Sequence, residues 1–274
     1  MNEPDPRLDP DVLAYYAKGI EAPRLSGASL ERIRTEEILL RVLPAPPATV
    51  VDVGGGPGVY ARFLARNGYA VHLVDPVPLH VAQAAASTGA EALASARQGD
   101  ARRLESEAAS ADAVLLLGPL YHLVERADRL RALREARRVL KPGGRLVAAV
   151  ISRFASALDG LRRGISNDPD FAPIVAGDLR DGIHRNPTGK LEYFTTSFFH
   201  APEEARREAA EAGFDEVELV SVEGPAWLFD EAGTERRLAD PEKREALLAG
   251  IRSIEREKAL AGASAHLLIV ARRG

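Results

Sequence analysis

Cysteine is absent from the 274 residues, which excludes a disulfide framework, a thiolate nucleophile and any cysteine-ligated zinc. Long apolar runs are absent too. The longest, Ala113 to Leu117 and Leu146 to Ile151, have the length of buried strands and fall far short of the roughly 20 residues of a membrane span. Met1 to Pro10 is acidic and proline-rich where a signal peptide needs a basic patch and an apolar stretch, so a cytoplasmic location is expected. Lysine is scarce, at positions 18, 141, 190, 243 and 258, arginine supplying the other basic residues. With alanine used heavily, this reads as genomic base composition. The net charge of −4 leaves no overall positive field, and this disfavours nucleic acid and anionic membranes as partners.

What is present suits a core of one or two lobes, with 46% hydrophobic and 28% charged residues. Pro44, Pro46 and Pro47 form a stiff break, predicted to separate an N-terminal helical arm, residues 1–43, from the rest. Strand and helix then alternate. Strands are predicted over 49–53, 70–74, 95–98, 112–117 and 145–151, and helices over 59–67, 77–88 and 128–140. In the last helix Leu130, Leu133, Ala136 and Leu140 make an apolar stripe and Asp128 can cap the start. Arg129, Arg131, Arg134, Arg137 and Arg138 read as a solvated face. Units of this length imply right-handed crossovers and a parallel, doubly wound α/β sheet covered on both faces.

Residues 152–200 break the pattern and hold six of the fifteen aromatics: Phe154, Phe171, Tyr193, Phe194, Phe198 and Phe199. Too long for a connection and too apolar for a linker, the segment is expected to be a cap packed over something. Within it Asn186 to Gly189 signals a turn before a strand-like run, Leu191 to Phe199. A helix over 202–212 and strands over 216–222 and 265–271 complete the single domain, with a second insertion, 223–262, carrying a helix over 241–258.

The first strand runs into Asp52-Val53-Gly54-Gly55-Gly56-Pro57-Gly58. Glycines here let the backbone approach a ligand at the carboxyl edge of the sheet, where open α/β sheets bind nucleotides. Read from Gly56, the string also satisfies the loose dinucleotide pattern, which keeps a nicotinamide cofactor open. Asp75 ends the second strand, where a carboxylate can accept both hydroxyl protons of an adenosine ribose. Asp100 ends the third, where it can accept from an adenine amino group.

With VVDVGGGPG, LVDP, QGDA and RVLKPGG together, the chain resembles the class I S-adenosylmethionine-dependent methyltransferases, strongly over about residues 30–150 and more loosely over the last helix and two strands. The resemblance implies a seven-stranded Rossmann-like sheet of order 3-2-1-4-5-7-6 with the last strand antiparallel. It also implies that Gly54, Gly56 and Gly58 line the methionine and ribose portion of the cofactor, with Asp52 supporting the loop or the cofactor's amino group. Asp75 would take the ribose hydroxyls, Asp100 with Ala101 the adenine, and Gly118 would border the same site. The following Gly118-Pro119-Leu120-Tyr121-His122 has no side-chain amide or acid of the kind the base-methylating enzymes of this fold use at this point, so the acceptor is expected to be a small molecule. Methyl transfer to its O, N or S atom follows.

The remaining candidates lie on the acceptor side. Tyr15, Tyr16, Glu21, Arg24 and Arg34 belong to the arm, where Tyr16 can reach the cleft and an arginine can pair with the cofactor's carboxylate. Tyr121, Tyr193, Phe198 and His200 are candidate acceptor contacts, and His122 a contact and a candidate base. His184 is placed like His200, beside substrate or on a backbone carbonyl, whereas His72 and His266 lie inside predicted strands and read as structural. No histidine spacing suggests a metal site, and no Gly-x-Ser-x-Gly elbow exists. A protein that binds the cofactor as regulator or scaffold is the alternative outside catalysis.

Overall fold

The computed structural model describes residues 29–229 and 231–274, so Tyr15, Tyr16, Glu21 and Arg24 lie outside the described residues. The first half alternates Leu30–Val42 (α1), Thr49–Val53 (β1), Val59–Arg66 (α2), Ala70–Asp75 (β2), Pro78–Ala85 (α3), Ser95–Gln98 (β3), Ala111–Leu116 (β4), Pro119–His122 (α4), Arg126–Val139 (α5) and Leu140–Ser152 (β5). The cap segment holds Ala155–Arg163 (α6), Ala172–Asp181 (α7), Ile183–His184 (β6) and Ser197–His200 (β7). Pro202–Glu211 (α8), Phe214–Ser221 (β8), Glu231–Ala239 (α9), Pro241–Ile254 (α10) and His266–Arg273 (β9) follow.

Strands β1 to β5 are parallel, and β9 lies antiparallel between β5 and β8. The spatial order β3-β2-β1-β4-β5-β9-β8 is the expected 3-2-1-4-5-7-6 once the core strands alone are numbered. The fold is thus α/β with a Rossmann-like sheet and an antiparallel last strand. Near-continuous aliphatic runs such as Ala113 to Leu116 are buried on both faces, as a parallel sheet under two helix layers requires. One face packs on α5 and α8 through Leu133, Ala136, Ala205 and Ala209. The other packs on α1 and α2 through Ile38, Leu39, Ala61 and Leu64. The described part of the N-terminal arm is therefore a layer of the core, with Ile38 and Leu39 fully buried, each contributing roughly 1.5–3 kcal/mol by leaving water.

Strand β5 positions the cap. It is 13 residues long, and its register with β4 ends at Leu116↔Ala148. Further along, Ile151 and Ser152 pair in parallel with Phe199 and His200 of β7, while β9 holds the other edge through Ile151↔His266. The cap hairpin thus takes over the edge of β5 that β4 vacates, beside the turn that carries α4. The expected strand over 191–199 is cut short. Leu191–Tyr193 is a 3-10 turn, Phe194 has φ +64°, and Asn186 Nδ2 donates to the carbonyls of Lys190 and Phe194, diverting backbone acceptors from a ladder.

Two expectations for α5 fail. Asp128 does not cap it; its carboxylate accepts from Arg102 Nη1 at 2.8 Å. Nor is Arg129 solvated. It is 1% exposed, makes a fork with Glu208 of α8 at 2.8 and 3.0 Å, donates to the carbonyls of Leu123 and Val124, and stacks over Phe198 at 3.6 Å. Its partner is remote in sequence, so no local pattern on α5 announces the pair. Burial alone would raise the Glu208 carboxyl, but hydrogen bonds from His200 and Arg129 hold it at about 2. Arg129→Ala should therefore cost about 3–5 kcal/mol by stranding a buried carboxylate, measured by urea denaturation. Because the folded-state value of Glu208 lies below its unfolded value near 4.5, its contribution is full above that pH and fades as pH falls towards about 2. The stability gap between wild type and Glu208→Gln should close over that window.

Candidate active site

β1, β2 and β4 deliver their loops to one edge of the sheet. After Val53 the chain turns through Gly54 and Gly56 at φ +68° and +56°, a region open to glycine at little cost. Gly54 N–H donates to the carbonyl of Val74 at 2.7 Å, and a Cβ on Gly54 would meet the Pro119 ring at 2.7 Å. Gly118 comes equally close, its virtual Cβ lying 3.2 Å from the Gly54 carbonyl. A Cβ on Gly56 would meet nothing within 4 Å, so the loop's open side is there.

Asp52 lies beneath this loop. Its carboxylate is 1% exposed, a Cβ on Gly55 would stand 2.5 Å from its Oδ2, and neither oxygen has a hydrogen-bond partner among the described residues. Burial first, then the nearby Asp75, push its carboxyl up to about 7. Asp52 thus accepts from no loop amide, one of the two roles expected of it, and keeps its capacity for a donor.

Asp75 is 3% exposed and already engaged. Its Oδ2 accepts from Gly56 N–H at 2.8 Å, and its Oδ1 accepts from Val77 N–H at 2.9 Å and lies 3.1 Å from His80 Nδ1. It locks the glycine loop to β2. His80, on the first turn of α3, is a residue the sequence reading missed; its spacing of five from Asp75 was the available signal. Asp100 is likewise held, by Arg102 through Nε to Oδ1 at 3.0 Å and Nη2 to Oδ2 at 2.6 Å, with Ala101 buried beside it. Arg102 bridges on to Asp128, and it too was missed.

The acceptor-side candidates divide. Tyr121 donates through Oη to the Leu117 carbonyl at 3.1 Å, and its ring centroid lies 4.7 Å from that of His122. The His122 ring lies 6.1 Å from Phe194, and Tyr121 and Phe194 pack on Ile151, Ala155 and Phe199. These residues wall the edge beside Gly118. Tyr193, Phe198 and His200 do not join them. Tyr193 is buried against Phe171 at 5.1 Å, Phe198 sits on Arg129, and His200 is fully buried with Nε2 3.3 Å from Glu208, burial holding its pKa below the usual range. Their aromatic character serves the inside of the cap and its seam with α8. His184 takes the backbone option, with Nε2 2.7 Å from the Tyr193 carbonyl and Nδ1 on Asp178. Arg34 is corrected too: fully buried, it is spent on Glu37, Glu255 and the Val222 carbonyl.

The glycine loop, the acid at the end of β2 and the acid after β3 all lie at one edge of this sheet, whose strand order is Rossmann-like. A family described as a methyltransferase domain matches residues 51–148. The chain is 33% identical over 203 residues to an S-adenosyl-L-methionine-dependent Diels-Alderase of Talaromyces variabilis, covering 62% of this chain and 68% of that protein. It is 31% identical over 140 residues to the ubiquinone/menaquinone biosynthesis C-methyltransferase UbiE of Caulobacter vibrioides, covering 47% of this chain and 54% of the relative, so it spans about half of that protein's length. A solved S-adenosylmethionine-dependent methyltransferase from Mesorhizobium loti superposes with TM-score 0.57 at 19% identity, covering 90% of this chain and 99% of that one. The chain belongs to the class I S-adenosylmethionine-dependent methyltransferase family.

The raised Asp52 carboxyl has a measurable consequence. Its folded-state value exceeds the unfolded one, so it favours the fold at low pH and this contribution is lost as pH rises from about 4 through about 7. Asp52→Asn should remove that loss and stabilise the ligand-free protein above pH 7 by about 2–4 kcal/mol, read as a thermal shift at pH 8 that disappears at pH 4.

Proposed function

We propose that this chain binds S-adenosylmethionine at the Gly54–Gly58 loop and transfers its methyl group to an O, N or S atom of a small molecule. The observation that carries this is Asp52: a buried carboxylate under a glycine loop, with both oxygens unpartnered among the described residues, suits a ligand that brings its own cationic donor. The amino group of S-adenosylmethionine is such a donor. Asp75 fixes the loop and keeps an acceptor position on Oδ2 for a ribose hydroxyl, and Asp100, oriented by Arg102, has the chemistry to accept from an adenine amino group. When bound, the cofactor would supply a sulfonium methyl, to which the acceptor's O, N or S atom would bond in line as the C–S bond breaks and S-adenosylhomocysteine leaves. The protein's part is then positioning and exclusion of water.

Tyr121, His122 and Phe194 offer the acceptor an aromatic wall beside Gly118. His122, at the end of α4 and 9% exposed, is suited to take the proton of a hydroxyl or ammonium acceptor. No described helix is long and apolar enough to cross a membrane, in keeping with a cytoplasmic small-molecule enzyme.

The test is direct. Protein incubated with S-adenosylmethionine should bind it, and Asp75→Ala should weaken binding by about 1.5–3 kcal/mol in calorimetry. Mass spectrometry of an acceptor panel should find a product heavier by one methylene, with S-adenosylhomocysteine formed in equal amount. Co-purification of a nicotinamide nucleotide would overturn the reading. So would cofactor binding together with a product that is only an isomer of its substrate, the outcome a Diels-Alderase would give. With an acceptor in hand, His122→Ala should lower kcat while cofactor affinity holds.

A further inference from the structure

On the β9 side of the same sheet edge, away from the glycine loop, three chain segments converge. Glu31 comes from the first turn of α1, Glu223 from the turn after β8, and His266 from the first position of β9; their ligand atoms all lie within 4.8 Å of one another. His266 faces Ile151 across the antiparallel register. We propose that Glu31, Glu223 and His266 form a divalent transition-metal site, with Zn²⁺ as its natural occupant.

Glu223 is set up as a ligand. It is 4% exposed. Its Oε2 is taken by His266 N–H at 3.1 Å and lies 3.1 Å from Ser264 Oγ, and that hydroxyl is itself fixed by Gly224 N–H at 3.1 Å. The other oxygen, Oε1, is thereby turned to His266 Nδ1 at 2.6 Å. Hydrogen bonds to one oxygen of a carboxylate orient the other as a ligand, and a bound metal would replace the proton now shared between Oε1 and Nδ1. Tetrahedral zinc bonds of about 2.0–2.2 Å set neighbouring ligand atoms roughly 3.4 Å apart, so the pair must open by somewhat under about 1 Å.

An imidazole with two carboxylates suits Zn²⁺ or Co²⁺ better than Mg²⁺ or Ca²⁺, which take oxygen ligands. Three protein ligands leave a fourth position for water. The site is independent of the methyl-transfer reading, since none of its ligands belongs to the cofactor loop.

Untagged protein, stripped with chelator and titrated with ZnCl₂ in a calorimeter, should bind one equivalent, and CoCl₂ should give a visible absorption band that Zn²⁺ abolishes and excess Mg²⁺ does not. Glu31→Gln, Glu223→Gln and His266→Asn should each weaken binding by about tenfold or more. Circular dichroism and metal-free melting check the fold of each variant. Glu31, half-buried on a helix's first turn, carries the test should Glu223→Gln not fold. Absence of binding heat and of the cobalt band, or undiminished Zn²⁺ affinity in folded Glu31→Gln and His266→Asn, would overturn the proposal.

Discussion

Parallel pairing imposes a common direction on β1, β2, β4 and β5, and the site depends on that constraint. Strands running the same way end at one edge, so the loops after Val53, Asp75 and Leu116 meet there although they are distant in sequence. The meeting is close: Gly54 bonds the carbonyl of Val74, and Gly118 abuts the Gly54 carbonyl. Glycine is needed where backbones pass this near one another, so the loop's composition follows from the topology as much as from any ligand.

The same geometry explains an electrostatic arrangement that would otherwise be costly. Asp52 and Asp75 end up near each other, one below the glycine loop and one bonded to it. Asp75 is stabilised by two backbone N–H groups and stands beside His80, whereas Asp52 receives no hydrogen bond among the described residues and its carboxyl is pushed up to about 7. A buried polar group without a partner is destabilising. Sites that retain one commonly trade stability for function, and an amino-bearing cofactor would return the missing hydrogen bonds.

The cap is tied to the sheet in two ways. β7 extends β5 at its carboxyl end, and Phe198 of that strand packs on the guanidinium that Glu208 holds. The cap is thereby anchored to α5 and α8 by a buried ion pair. Its aromatics divide accordingly, Tyr193 and Phe198 facing inwards and Phe194 towards Tyr121 and His122.

Sequence alone determined the alternation of strand and helix, the glycine loop and the acids at the strand ends, because each rests on a short-range signal: an aliphatic run, a turn that only glycine makes easily, a carboxylate at a fixed offset. The order of the sheet and its antiparallel last strand were implied by the resemblance that the strings from VVDVGGGPG to RVLKPGG carry. Tertiary structure decided everything that rests on a remote partner. Arg129 reads as solvated until Glu208 is placed against it, and His200 and Phe198 read as cleft residues until the same pair fills their surroundings. Arg102 is held over Asp100 by Asp128, a partner in α5 that no periodicity announces. Glu31, Glu223 and His266 lie too far apart for any spacing rule, and only the antiparallel return of β9 beside α1 brings them within reach of one another.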